Sequence, residues 1–228
     1  MAVPQPTIAE ELLLLCHDPT TGRPTANSTR LTCGLAGATV AELALSGRIT
    51  IDDEYVHDAR QPAAGDPHLD ALAERIAAQR RPRKIKWWVQ KTQSARLRGE
   101  MLQSATDRDL FDHERKRVLG LFPLNNYRPR HPEEREELRQ RLHAVLVQER
   151  APDDSRTVAL LALCGAVQVD RKLFPGLSSR ERRRLMKQTT EGDQISRAVA
   201  SVIRSIEGAT AAAAAGGGGG GDGGGGGG

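Results

Sequence analysis

The chain has 228 residues, and Lys+Arg 33 against Asp+Glu 29 leaves a formal net charge of +4, too mild to announce nucleic-acid binding by itself. Aromatic residues make up only 3%, so any core must be built from Leu, Val, Ile and Ala. No segment approaches the roughly 18 apolar residues that mark a spanning helix, and MAVPQPTIAEE carries no basic region ahead of an apolar run, so neither a membrane span nor a secretory signal is read here.

Thr7 followed by Glu10 forms a capping-box pattern ahead of Leu12-Leu13-Leu14-Leu15, which predicts a buried opening helix. Asp18-Pro19-Thr20-Thr21-Gly22 is turn chemistry. A second helix carries Leu35, Val40, Leu43 and Leu45. Gly34, Ala36, Gly37, Ala38 and Ala41 lie between them, small enough for another element to approach the backbone closely. Gly47 stops this helix, and Arg48-Ile49-Thr50-Ile51 alternates as a strand does, with a hairpin expected around Tyr55-Val56.

Leu69, Leu72, Ala73 and Ile76 mark a helix beginning near Asp66-Pro67, and Arg80 to Lys86 interrupt it. A further helix is expected over Trp87–Ala105, then a strand, turn and short strand over 117–127. Pro132-Glu133-Glu134 starts a helix with acids at its positive end, running to about Glu149. Asp153-Asp154-Ser155 caps the next, whose stretch Val158–Cys164 is apolar nearly all round and therefore central. Ser178-Ser179 opens an Arg-rich helix through Met186, and Asp193 opens the last, through Ile206.

The fold class predicted is mainly α: a single helical-bundle-like domain with small β-hairpins over residues 7–207. Residues 208–228, an Ala run followed by glycines, are expected to form a disordered Gly-rich tail. Cys16, Cys33 and Cys164 are scattered in apolar context and read as buried free thiols of a cytoplasmic protein.

Catalytic patterns are absent. The six histidines show no metal spacing, the cysteines form no CxxC pair, and neither a GxSxG nor a phosphate-binding glycine loop occurs. No enzyme, cofactor or metal is therefore expected. Two features carry chemistry. Arginines and lysines cluster at 80–86, at Arg96 and Arg98, and at 115–117, while Leu121-Phe122-Pro123-Leu124 places apolar residues in a turn. Such a tip among cations suits a membrane interface, where arginines meet anionic headgroups and Leu and Phe enter the acyl boundary. Each of these residues also has a plainer reading, a solvated helix face for the arginines and core packing for the tip.

The chain resembles the Golgi phosphoprotein 3 family. The likeness rests on Leu12–Leu15, Asp18, Gly22, Gly34-Leu35-x-Gly37 and Glu42-Leu43-Ala44-Leu45-x-Gly47-Arg48, with support from Gly120-Leu121, the Glu133–Val147 helix and Arg156-Thr157-Val158-Ala159-Leu160-Leu161-Ala162-Leu163. The resemblance implies a helical, non-enzymatic peripheral membrane protein. Its eukaryotic members grip phosphatidylinositol 4-phosphate with arginines and an aromatic, press an apolar hairpin into the membrane, and recruit cytosolic tails of membrane proteins.

Carried over by position, the family's headgroup arginine falls at Ala36 and its aromatic at Asn27. Of two later arginines three apart, Arg98 is retained, Ala95 replaces the other, and Arg96 stands adjacent. Each lost charge-assisted phosphate contact removes about 1.5–3 kcal/mol. The expectation is therefore a bacterial member that binds anionic phospholipid headgroups through Arg96 and Arg98, with Leu121, Phe122 and Leu124 forming the membrane hairpin. No nucleic acid is expected as a partner. The alternatives are a winged-helix-like nucleic-acid binder, with 117–127 as wing, and an adaptor for protein tails without lipid dependence.

Overall fold

Thr7 opens the first helix as the capping pattern requires. The structure, a computed structural model, describes residues 5–63, 65–118, 122–147, 155–190 and 197–216. In it the Glu10 N–H donates to the Thr7 hydroxyl at 3.3 Å, while the Thr7 N–H donates to the Glu10 carboxylate at 2.7 Å. All eight residues of α1 (Ile8–Leu15) are buried, Glu10 and Glu11 included.

The turn after α1 is built by Asp18, whose Oδ1 accepts from the N–H groups of Thr20 and Thr21 at 3.0 and 2.7 Å. Gly22 closes it at φ +68°, a conformation that favours glycine, with its N–H on the Asp18 carbonyl at 2.8 Å. The long helix α2 (Ser28–Leu45) then crosses the interior against α1, with Leu31–Ala41 and Leu43 buried. Its glycines do what their size predicts. A Cβ on Gly34 would overlap Val167, and one on Gly37 would overlap Ile206. Larger residues there would push α2 away from α7 (Ser155–Ala166) and α10 (Arg197–Gly216). The end of α2 is a Schellman motif: Arg48 N–H to Leu43 carbonyl at 2.9 Å and Gly47 N–H to Ala44 carbonyl at 3.2 Å, with Gly47 at φ +70°.

The expected hairpin is present as β1 (Ile49–Asp52) and β2 (Tyr55–Asp58), turned by Asp53 and Glu54, both at positive φ. A third strand, β3 (Arg83–Lys84), pairs with β2 as Tyr55↔Lys84 and Val56↔Arg83. That stretch reads as an interruption in the sequence. Two residues carry no period, and only the neighbouring strand recruits them.

Between these lies α3 (Pro67–Ala77), N-capped by Asp66, whose Oδ1 accepts from His68 and Leu69 N–H at 2.9 Å. The single helix expected over Trp87–Ala105 is two: α4 (Ile85–Thr92) and α5 (Ala95–Asp107). Gln93 and Ser94 are extended between them, and the Ser94 hydroxyl accepts from the Leu97 N–H at 2.9 Å, starting a new helix instead of continuing the old one.

The second hairpin is longer than 117–127. β4 (Phe111–Val118) pairs with β5 (Phe122–Pro129) from Phe111↔Pro129 to Val118↔Phe122. After it come α6 (Pro132–Leu146), the buried α7, a short α8 (Asp170–Leu173), α9 (Ser179–Thr190) and α10. The last helix continues past Ile206 to Gly216, with Ala209 and Thr210 buried, because the alanines there are the best helix formers. The capping residues expected at Asp153, Asp154 and Asp193, and the helix end at Glu149, lie outside the described residues. The fold is mainly helical with two small antiparallel sheets. Cys16, Cys33 and Cys164 are free and buried, and burial pushes the Cys16 thiol up to about 12.

Buried charge ties the bundle together. Arg108, at the end of α5, donates to Glu10 at 2.6 and 2.8 Å. Arg156 on α7 reaches Glu42 at 2.5 Å, Glu11 at 3.1 Å and the Pro6 carbonyl at 2.5 Å, while Arg141 on α6 reaches Glu11 at 3.2 Å. The Glu42 carboxylate also accepts the Ile8 N–H at 2.6 Å, so α2 caps the start of α1. Burial pushes the Glu11 carboxyl above its ordinary value, and Arg156 and Arg141 pull it back. Removing one member of such a buried set leaves charge uncompensated. Arg156→Ala is therefore expected to cost about 3–5 kcal/mol in chemical denaturation, while Arg96→Ala, which breaks an exposed pair, should leave the denaturation midpoint essentially unchanged.

His17 follows α1 and supplies a second test. It is 2% exposed, its Nδ1 lies 2.8 Å from the Leu13 carbonyl, and its ring meets Phe111 edge-on at 5.3 Å. A carbonyl only accepts, so Nδ1 carries the proton. Burial holds the ring below its ordinary 6.5, with Arg98 and Arg135 adding to the fall and the Leu13 bond opposing it. The unfolded chain then protonates first, so this group stabilises above pH 6.5 and loses its contribution as pH falls below it. The melting temperatures of wild type and His17→Gln should converge on acidification; parallel curves would refute the assignment.

Candidate functional site

The structure places Arg96 and Arg98 on nearly opposite sides of α5, about 200° apart around the helix axis. Arg98 is half-buried, and its guanidinium donates to the Ser28 hydroxyl at 2.6 Å. It therefore lies over the N-terminus of α2. There the Asn27 side chain already accepts from the Thr29 and Arg30 N–H groups at 2.9 and 3.3 Å. Arg96 points elsewhere: it is 86% exposed and pairs with Glu100 one turn on at 2.7 Å. Hydrogen bonding to Glu100 raises the Arg96 pKa further, so its charge is fixed at any working pH.

The carried-over positions separate in the same way. Asn27 and Ala95 are exposed at the α2 N-terminus and the start of α5. Ala36 is fully buried, roughly 12 Å further along α2 at 1.5 Å per residue. An alanine there completes the packing of the helix interior and offers nothing to solvent. Beside the α2 end, the Cys33 thiol donates to the Gln93 side-chain carbonyl, and burial raises the thiol's pKa and keeps it protonated.

The β4–β5 hairpin is anchored at one end. Phe111 is fully buried against His17, and Asn126 is buried over Gly22, where a Cβ would come within 2.7 Å of the amide. Arg130 clamps Asp109 and Asp112 at 2.5 and 2.8 Å beside it. Further out, His113 stacks on Tyr127 at 4.5 Å and 4°, and Arg115 is exposed with no ion pair among the described residues. Leu121 lies outside the described residues. Of Phe122 and Leu124 only the backbone is described, paired as Val118↔Phe122 and Lys116↔Leu124.

Sequence reading missed several arginine roles. Arg135 donates to the Leu14 and Leu15 carbonyls at 2.9 and 3.3 Å and so closes the C-terminal end of α1. Within the cluster at 80–86, Arg83 lies over Trp87 at 5.4 Å and Lys84 over Tyr55 at 5.4 Å; Arg75 covers Trp88 at 5.9 Å. The tryptophans next door were the available signal for these cation–π contacts. No helix among the described residues is long and apolar enough to cross a membrane.

A search of curated proteins finds no match to the chain. The family model described as Golgi phosphoprotein 3 (GPP34) matches residues 8–206, from the first residue of α1 into α10. By that match, which spans both hairpins and the buried ion network, the chain belongs to the Golgi phosphoprotein 3 family.

Proposed function

We propose that this protein is a non-enzymatic peripheral membrane protein that binds anionic phospholipid headgroups at the cytoplasmic face of a membrane. Arg98 makes the headgroup contact beside the α2 N-terminus, Arg115 adds charge on the hairpin, Arg96 adds only peripheral charge from the other side of α5, and Leu121, Phe122 and Leu124 enter the interface. The observation that carries this reading is the hairpin's one-sided anchorage. Its base is seated by Phe111 on His17 and by Asn126 on Gly22, and the exposed cation Arg115 follows before the segment that holds the apolar residues. Family membership supports the same reading.

The energetics favour reversible attachment. A basic residue near an anionic leaflet contributes about 1 kcal/mol, and a buried Leu or Phe about 1.5–3 kcal/mol. Asn27 caps α2 and Ala36 is internal, so two of the family's headgroup groups are missing at these positions. General anionic-lipid binding therefore fits these residues better than tight recognition of phosphatidylinositol 4-phosphate.

Flotation with phosphatidylserine vesicles, with and without phosphatidylinositol 4-phosphate, tests the proposal. Wild type should float, less so at high salt. Arg98→Ala and Phe122→Ser should each lower the partition coefficient by about tenfold, the equivalent of roughly 1.4 kcal/mol. A wild type that stays in the load fraction, or a double variant that floats equally well, would sink the idea.

A further inference from the structure

A groove that shares no residue with α5 or the β4–β5 hairpin carries charge that the lipid-facing reading does not use. It is an open cavity of about 640 Å³ between α7, α8, α9 and α10. That volume falls in the ~300–1,000 Å³ range of small-molecule sites. Its floor is aliphatic, formed by Ala162, Met186, Ala200 and Ile203. Gly165 lets Met186 settle low in it, since a Cβ there would lie 2.5 Å from the Met186 methyl.

The charges around the groove do not cancel. Asp170 is occupied by Arg182, itself 6% exposed, which donates Nε to Asp170 at 2.6 Å and a second N–H to the Leu177 carbonyl at 3.1 Å. This wall is therefore fixed and neutral. Glu207 stands one turn after Arg204 and feels its charge. Arg171 on α8 and Arg183 on α9 both line the cavity, are exposed, and form no ion pair among the described residues. Two arginines from separate elements thus line one space together with aliphatic side chains. That arrangement suits a bidentate anion such as phosphate. No aromatic side chain lines the cavity among the described residues.

We propose that this groove binds an organic phosphate with an aliphatic body, its phosphate held by Arg171 and Arg183 and its body resting on Met186 and Ile203. The ligand class has two sources, a soluble alkyl or polyol phosphate or the headgroup of a phospholipid. The site is independent of the hairpin surface.

Titration calorimetry on the full chain with hexyl phosphate, inorganic phosphate and soluble dihexanoyl phosphatidic acid decides the matter. Hexyl phosphate should saturate a single site and bind at least about threefold tighter than inorganic phosphate, reflecting burial of its methylenes. The double variant Arg171→Gln/Arg183→Gln should weaken it by about tenfold or more at an unchanged melting temperature. Arg80→Gln/Arg81→Gln, with the same charge change elsewhere, should alter it by less than about twofold, and Arg98→Ala should leave it intact. Tighter binding of hexyl phosphate than of the phosphatidic acid points to a soluble ligand, and the reverse points to a lipid; both support the site. Absence of saturable binding, equal loss in the two arginine doubles, or no gain from the hexyl chain would overturn it.

Discussion

Two glutamates buried in the first helix set the terms for the rest of this fold. Glu10 and Glu11 are 4% and 6% exposed on a helix whose other residues are also buried, so α1 has no solvated face to which they can turn. Their charge must be met inside the protein. Arg108, Arg141 and Arg156 arrive from the end of α5, from α6 and from α7, and Glu42 arrives from α2 to share Arg156 and to cap the first N–H of α1. Burying such groups costs desolvation that their attraction barely offsets, so the network adds little net stability. What it adds is position. Each arginine reaches its carboxylate only if its helix sits at one height and one rotation around α1.

That fixed helix transmits its position to the surface. At its C-terminal end Arg135 closes the Leu14 and Leu15 carbonyls, and His17 follows directly with its ring against Phe111. The turn through Asp18 then brings Gly22 under Asn126. The β4–β5 hairpin is thus seated on the segment that follows this buried helix, by the aromatic contact with His17 and the close approach to Gly22. Two-stranded hairpins are marginal by themselves, and this one borrows its rigidity from the bundle. Arg98 gains from the same construction, because α5 ends in the Arg108–Glu10 pair that fixes its far end.

Local chemistry in the sequence identified what local chemistry decides. The Thr7–Glu10 box, the Gly47 stop and the Asp66 cap each depend on residues within five positions of one another, and each is present. The break at Gln93-Ser94 was missed because the Trp87–Ala105 periodicity is helical on both sides. Only the Ser94 cap and the contact of Gln93 with Cys33, sixty residues away, stop the helix there. β3 has the same cause, since a two-residue strand exists only where β2 offers it a partner. Arginine was the hardest to read. Its long side chain lets Arg108 and Arg156 serve carboxylates 98 and 145 residues distant, while Arg96 and Arg98, two residues apart, face different neighbours.

The motif residues that mark the family prove to be mostly scaffold. Glu42 and Arg156 form the buried ion pair, Gly34 and Gly37 admit Val167 and Ile206, and Gly22 sits beneath the hairpin. Asn27 and Ala36, where the chain departs from the eukaryotic pattern, do different work. Asn27 caps α2 and Ala36 fills its interior, and neither touches the ion network. The fold therefore constrains the headgroup positions only weakly. A chain can keep every residue that seats the hairpin and orients α5 while the groups around Arg98 change. The residues that build the architecture and those at the proposed headgroup positions are consequently separate sets. The cationic groove at Arg171 and Arg183 is a third set, distinct from both.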